Sequence, residues 1–528
     1  MLELKLLLFL LLTYAPDVLA APSQVPIQVP ETSTKRRLQG RFLHITDMHP
    51  DPYYKEDASE KSACHRRKPK KARPRSGYYG MPYSQLTDGE NSNCDSPPTL
   101  TNFTLDYLDK EWSKEIDFVV HDSDRKRPRT TNEIYMLNRA MARRMEEVFL
   151  SKGIPVIPSI GNNDVWRPNS VTSEFSSIWR NFVPFESYQV FQRGGYFAVE
   201  VVPEQLAVVS LNTMYFYDSN KAVGGCEDGD PEDPGNLQFD WLEVQLDRFR
   251  RRGMQVWLSG HVPPSAANFF PDCHVRYTEL SLQYQDTILG HLYGFFFLDA
   301  EHVRSKPDKE ALTSGMHDEL RLGKKKHRQL YNTLLKDFDD LPKTKHNASY
   351  DDYGVVNVSP SLVPNPYLPS FRIFTYNTTG AAYEPALESG AACDDASGRN
   401  AWRCDVAKPW HASPDSPSRT NRLWTPLGYA QYYLPDLESA NKKHAPKVKL
   451  EYLTFARGAL HPPPGGEGGF RYPIPLRHLP RTLRNATGEG AGRSWAGLGR
   501  RLAAGTEKAL RKRFRGFMYM GGDEAWVV

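Results

Sequence analysis

Residues Arg41–Asp51 read RFLHITDMHPD, and the reading of this stretch decides the fold. A largely apolar run, Phe42 to Ile45, leads into Asp47 and His49, and in extended backbone alternate residues project to the same side. A carboxylate and an imidazole would then meet at the carboxyl end of a strand, where open α/β sheets place their ligands. Asp with His is also a usual ligand pair for a transition metal of intermediate softness. Working outward, later stretches repeat the design. Ile154–Asp164, IPVIPSIGNND, ends in Asn162, Asn163 and Asp164, and Gln255–Ser265, QVWLSGHVPPS, carries His261. Apolar strands that each deliver Asp, Asn or His at one end form a constellation that points to a metal centre.

Asp47-x-His49, Gly161-Asn162-Asn163-Asp164 and Gly260-His261 follow the order and residue types of the calcineurin-like metallophosphoesterases, which the chain resembles. Longer runs narrow this to the acid sphingomyelinase-related branch: HITDMHPDPYY, GHVPPS, SRTNRLWTPLGYAQYY (Ser418–Tyr433) and RKRFRGFMYMGG (Arg511–Gly522) are similar to the fungal vacuolar endopolyphosphatase family. The resemblance implies an α/β fold, the metallophosphoesterase four-layer sandwich of two mixed β-sheets flanked by helices, with an irregular C-terminal extension. It implies metal-dependent hydrolysis of internal phosphoanhydride bonds of inorganic polyphosphate, in the lumen or at the membrane of the vacuole. It also implies two divalent metal ions per site, with Mn, Co, Mg, Zn and Fe not distinguished. By motif position Asp47 and His49 hold the first metal, and Asn162 and His261 the second. Asn163 stands where many relatives carry a histidine that protonates the leaving group. A phosphate leaving group needs less protonation than an alkoxide, so asparagine suits an anhydride substrate. A sphingomyelinase-like phosphodiesterase is the alternative enzyme, and the two carboxyl-terminal runs argue against it. An inactive polyphosphate-binding pseudoenzyme is the non-catalytic alternative.

The chain departs from the family pattern at two places. After the strand read at Asp117–Val120 the family has Trp-Thr-Gly-Asp, whose Asp bridges both metals, whereas here Val120 passes directly to HDSDRKRPR. The family follows Gly-His-Leu-Tyr-Gly with His-Met-Asn and an Asp-His pair, whereas Gly290–Gly294 here runs straight into Phe295. Asp122, Asp124 and His291 are the substitute ligands available. Either the protein is a degenerate member, or two short pieces are missing from a sequence whose family pattern resumes cleanly at both junctions; the clean junctions favour the second.

The 528 residues, 39% hydrophobic and 25% charged, allow a large core, and a net charge of +4 does not describe a nucleic-acid binder. It does favour a polyanionic substrate. Residues 1–20 read as a signal peptide or signal anchor, so membrane attachment through this segment stays open. Residues 21–40 read as a Pro-rich linker, 41–385 as the metallophosphoesterase domain and 386–528 as the extension. Sequons at Asn102, Asn347, Asn357, Asn377 and Asn485 fit a glycoprotein of the secretory pathway, with Pro360 weakening the one at Asn357. The 6 cysteines read as disulfides; order along the chain suggests 64–94, 226–273 and 393–404, without settling the connectivity.

Within the domain, CHRRKPKKARPR (Cys64–Arg75) is either a solvated loop or a basic lip whose Arg66, Arg67, Lys68, Lys70 and Lys71 grip phosphate chains. Helices are expected over Thr104–Trp112 and Asn132–Leu150, and on the Phe239, Leu242, Leu246, Phe249 face. Tyr353–Asn377 is expected to supply later strands of the second sheet.

Overall fold

The computed structural model describes residues 38–66, 75–81, 94–123, 130–162, 164, 171–265, 268–294, 302–304, 354–364, 368–384, 422–454, 502–506, 508 and 511. In chain order its main elements are β1 (Arg41–Ile45), α1 (Pro98–Trp112), β2 (Phe118–Ser123), α2 (Thr131–Val148), β3 (Val156–Ile160), α3 (Val171–Ile178), α4 (Tyr188–Gly194), β4 (Phe197–Val202), β5 (Leu206–Ser210), α5 (Pro234–Arg251), β6 (Gln255–Gly260), α6 (Pro271–Gln283), β7 (Ile288–Tyr293), β8 (His302–Arg304), β9 (Gly354–Val358), β10 (Ser370–Tyr376), β11 (Pro426–Tyr433) and β12 (Lys449–Leu453).

The strands form two six-stranded sheets, ordered β12-β11-β10-β1-β2-β3 and β4-β5-β6-β7-β9-β8. Both are mixed. β1, β2 and β3 run parallel while β10 joins β1 antiparallel; β5, β6, β7 and β9 run parallel while β4 and β8 are antiparallel edges. The central strands are buried along their length, as parallel strands covered on both faces must be.

Aromatic rings and hydroxyls join the two sheets. Phe42 of β1 stacks on Phe118 and Phe374 of its own sheet and meets Trp257 of β6 edge-on at 5.1 Å. The Ser159 hydroxyl lies 2.9 Å from that of Ser210 on β5. Arg372 of β10, fully buried, donates to the Val358 carbonyl of β9 at 2.7 Å, so one guanidinium spans from sheet to sheet.

Local chemistry sets the helices. α2 opens on a capping box, Thr130 accepting from the Glu133 amide while the Glu133 carboxylate accepts from the Thr130 amide. The Phe239, Leu242, Leu246 and Phe249 face of α5 is buried as the spacing predicts. α1 begins at Pro98, earlier than the expected Thr104, because proline is suited to the first helical position.

Two expectations change. β10 belongs to the first sheet beside β1, not to the second; only β9 of that region joins the second sheet. The extension after residue 385 is not wholly irregular, since β11 and β12 complete the first sheet, with Tyr429, Ala430 and Tyr432 buried. A register shift between Gln431 and Tyr432 breaks the alternation that would have marked a strand. Asn357 is buried on β9 and donates to the His291 carbonyl at 3.3 Å.

The Cys64–Cys94 and Cys226–Cys273 disulfides are present; Cys393 and Cys404 lie outside the described residues. Asn102 is exposed on α1, Asn377 is half-buried and donates to the Arg422 carbonyl, and Asn347 and Asn485 lie outside the described residues, as do residues 1–37. Among the described residues no helix is long and apolar enough to cross a membrane.

Candidate metal centre

The site lies where the carboxyl ends of β1, β2, β3, β6 and β7 meet. Asp47 and His49 follow β1, but not in extended backbone: their φ values are 49° and 38°. A left-handed turn, rather than the pleat of a strand, brings them together, and Asp tolerates that region better than most residues. Strained backbone of this kind persists where surrounding bonds over-determine it. Here the Asp47 amide donates to Asp122 Oδ1 at 2.7 Å, the Asp47 carbonyl accepts from the Val363 amide at 3.1 Å, and the His49 carbonyl accepts from the Ser96 amide at 3.1 Å.

β2 runs on through His121 to Ser123, past the point at which the expected strand stops. Asp122 therefore projects inward, and its Oδ2 accepts from His261 Nδ1 at 2.9 Å. On the other side of the ring, His261 Nε2 lies 2.7 Å from Asn162 Oδ1. His49 Nε2 is 3.4 Å from Asp47 Oδ1. Asp47, Asp122 and His261 are all buried and offer ligand atoms within 4.8 Å of one another. Burial, then the neighbouring Asp47, pushes the Asp122 carboxyl up to about 7, against the pull of His261.

Carboxylates with imidazole and amide oxygen form a donor set suited to a divalent cation, and two buried acids side by side favour a positive charge between them. On donor chemistry the residues present fit a divalent metal. Among the described residues, Asp122 is the substitute candidate that the fold brings to Asp47 and His261.

The other substitutes fare differently. His291, buried on β7, receives a hydrogen bond from the Tyr277 hydroxyl on Nδ1 at 2.6 Å, and burial lowers it to about 4; it belongs to a core polar chain and is not in the cluster. Asp124 and Asn163 lie outside the described residues, as do Arg67, Lys68, Lys70 and Lys71, while Arg66 is exposed. Asp164 ties down the GNND turn, accepting from the Gly161 amide and from the Asn138 side chain, both at 3.2 Å. Gly294, after β7, sits directly on the Asp122 carboxylate, where a Cβ would collide. Reading by motif missed Asp95, whose Oδ1 lies 3.3 Å from His49 Nδ1.

Two mixed sheets flanked by helices, with acidic, imidazole and amide groups gathered at their carboxyl ends, define this as a metallophosphoesterase. Curated relatives make the assignment narrower. An endopolyphosphatase of Cryptococcus neoformans is 37% identical over 85% of this chain and 82% of its own length. Endopolyphosphatases of Candida glabrata and Saccharomyces cerevisiae are 33% and 40% identical, over 66% and 51% of this chain. The chain spans 62% and 42% of those two relatives. The chain belongs to the endopolyphosphatase family. No family model matches it. A dimetal phosphatase from Danio rerio aligns over 64% of this chain and 93% of that chain, at 10% identity and a TM-score of 0.32.

Proposed function

We propose that this chain hydrolyses internal phosphoanhydride bonds of inorganic polyphosphate, with divalent cations held by Asp47, His49, Asp122, Asn162 and His261. The observation that carries this reading is the buried Asp47–Asp122–His261 cluster, set in a chain of the endopolyphosphatase family. Bound there, divalent cations supply acidification of water, orientation of its attack and neutralisation of phosphate oxygens. Asp122 would take the part of the family's bridging aspartate, since it contacts both the Asp47 amide and the His261 ring. Asn162 fixes His261 from the other side. Asn163 is proposed to face the leaving phosphate, and the Arg66–Lys71 stretch to bind substrate by charge. A vacuolar setting belongs to the same reading; the bonded cysteines support a secretory route.

Purified full-length protein incubated with long-chain polyphosphate and Mn²⁺, Co²⁺ or Mg²⁺ should release chains of intermediate length. Release of single phosphates alone would reject internal cleavage, and binding without turnover at every metal concentration would reject the enzyme.

A further inference from the structure

We infer that Asp95 is a positioning residue for His49, and that the Cys64–Cys94 disulfide exists in part to keep it in place. The inference rests on the proposed metal centre and extends it to a carboxylate that no motif marks.

The geometry is as follows. His49 Nδ1 donates to Asp95 Oδ1 at 3.3 Å, which turns the other ring nitrogen toward Asp47, 3.4 Å away. A carboxylate on one imidazole nitrogen sets the tautomer, fixes the ring plane and makes the other nitrogen a better donor to a metal. Asp95 is itself partly open to solvent, its side chain 14% exposed against 2% for His49, and it is not one of the converging ligand groups. Its place is behind the ligand.

Asp95 is held by its neighbours. The Ser96 amide donates to the His49 carbonyl at 3.1 Å and the Asp51 amide to the Ser96 carbonyl at 2.8 Å, so residues 94–96 run alongside 49–51. That pairing is short, and Cys94 anchors its start. The disulfide to Cys64 is buried in a small cluster with Ala58 and Met81, against which Tyr54 packs. Cys64 in turn precedes His65, whose Nε2 lies 2.7 Å from Asp51 Oδ2. One covalent bridge therefore fixes the carboxylate behind His49 and closes the loop that follows the ligand turn.

The test measures Mn²⁺ affinity by calorimetry on the full chain, with circular dichroism and thermal melting as the check on folding. Asp95→Ala should weaken Mn²⁺ binding by about 10- to 100-fold, the range found when a carboxylate behind a ligating histidine is removed. Asp95→Asn keeps an oxygen acceptor for Nδ1–H and should recover most of the affinity. Replacing Cys64 and Cys94 together by serine should weaken binding in the parent protein but add little in the Asp95→Ala background, because both changes release the same ring. Affinity within about twofold of the parent in a folded Asp95→Ala protein, or full additivity with the cysteine pair, would overturn the inference. Asp47→Ala separates the two levels: if it abolishes binding while Asp95→Ala leaves the affinity within about twofold of the parent, the positioning role falls and the metal centre stands. If Asp47→Ala changes nothing, the centre itself is wrong and the inference falls with it.

Discussion

Asp117 and Asp122 stand at opposite ends of one strand, are about equally removed from water, and do opposite things. Asp117, just before β2, accepts from the amides of Gln39, Gly40 and Arg41 and from the Tyr376 hydroxyl. Its charge is met by donors that cannot move, and the result is a clamp on the entry to β1. Asp122, at the carboxyl end, meets one amide, one imidazole and another carboxylate. It meets fewer donors than Asp117 and faces a second acid, an arrangement that favours a cation. Burial alone does not tell a structural acid from a functional one; the surrounding donors do.

The sharpest way to break this comparison is to truncate each acid and measure both activity and stability. Asp122→Ala should lower polyphosphate hydrolysis on the order of 10³-fold, equivalent to about 4 kcal/mol of barrier, while the metal-free protein melts at or above the parent temperature. A large drop in melting temperature would show that Asp122 is a second clamp. Asp117→Ala should do the reverse: about 3 kcal/mol of stability lost by denaturant unfolding, because several donors are left unmet, with metal affinity retained below the transition. Loss of Mn²⁺ binding in folded Asp117→Ala would erase the distinction.

How much of this contrast can be read in the chain follows from what each residue depends on. Asp47, His49, Asn162 and His261 are legible because short strand-end motifs carry them, and the structure brings His261 against Asn162 and His49 against Asp47. Asp122 is harder. Motif alignment makes it a substitute behind a gap, and only the continuation of β2 through Ser123 turns it inward. His291 fails as a substitute because its partner, Tyr277, comes from α6, a contact no local spacing encodes. Asp95 is invisible for the same reason, although its place beside a cysteine was a clue once that cysteine was paired. In the fold, the amphipathic face of α5 is periodic and readable. The strands β11 and β12 are not, because they reach the first sheet from far along the chain and across a register shift.

Gly294 offers a smaller perturbation that touches one acid only. It packs on the Asp122 carboxylate, so Gly294→Ala must push that carboxylate or the end of β7 aside. A displacement on the order of 1 Å at a catalytic group can cost about a hundredfold in rate, here without touching Asp117. Activity in Gly294→Ala equal to the parent would mean that the exact position of Asp122 is immaterial, and would weaken its assignment as a ligand.

The mildest probe is pH, and it separates Asp122 from the buried His44 by sign. Because the folded state holds the Asp122 carboxyl up at about 7, the folded protein binds a proton that the unfolded chain releases above about 4. Metal-free stability from this group is therefore fully present at low pH and is lost as pH rises from about 4 toward 7, by up to about 1.4 kcal/mol per pH unit. His44 works in the other direction. Burial and the nearby Arg372 hold it down to about 3, so below about 6.5 the unfolded chain takes up a proton that the folded one refuses, and stability falls toward acid. The two slopes oppose each other in the parent protein and must be separated by substitution. Asp122→Asn should remove the loss on raising pH and leave the acid loss, whereas His44→Phe should reduce the acid loss to the part that buried His291 contributes and leave the loss on raising pH. Saturating Mn²⁺ should reverse the Asp122 slope, since the cation favours the ionised carboxylate. Identical pH–stability curves for Asp122→Asn and the parent without metal would show that Asp122 is as well satisfied as Asp117, and the contrast between the two ends of β2 would be gone.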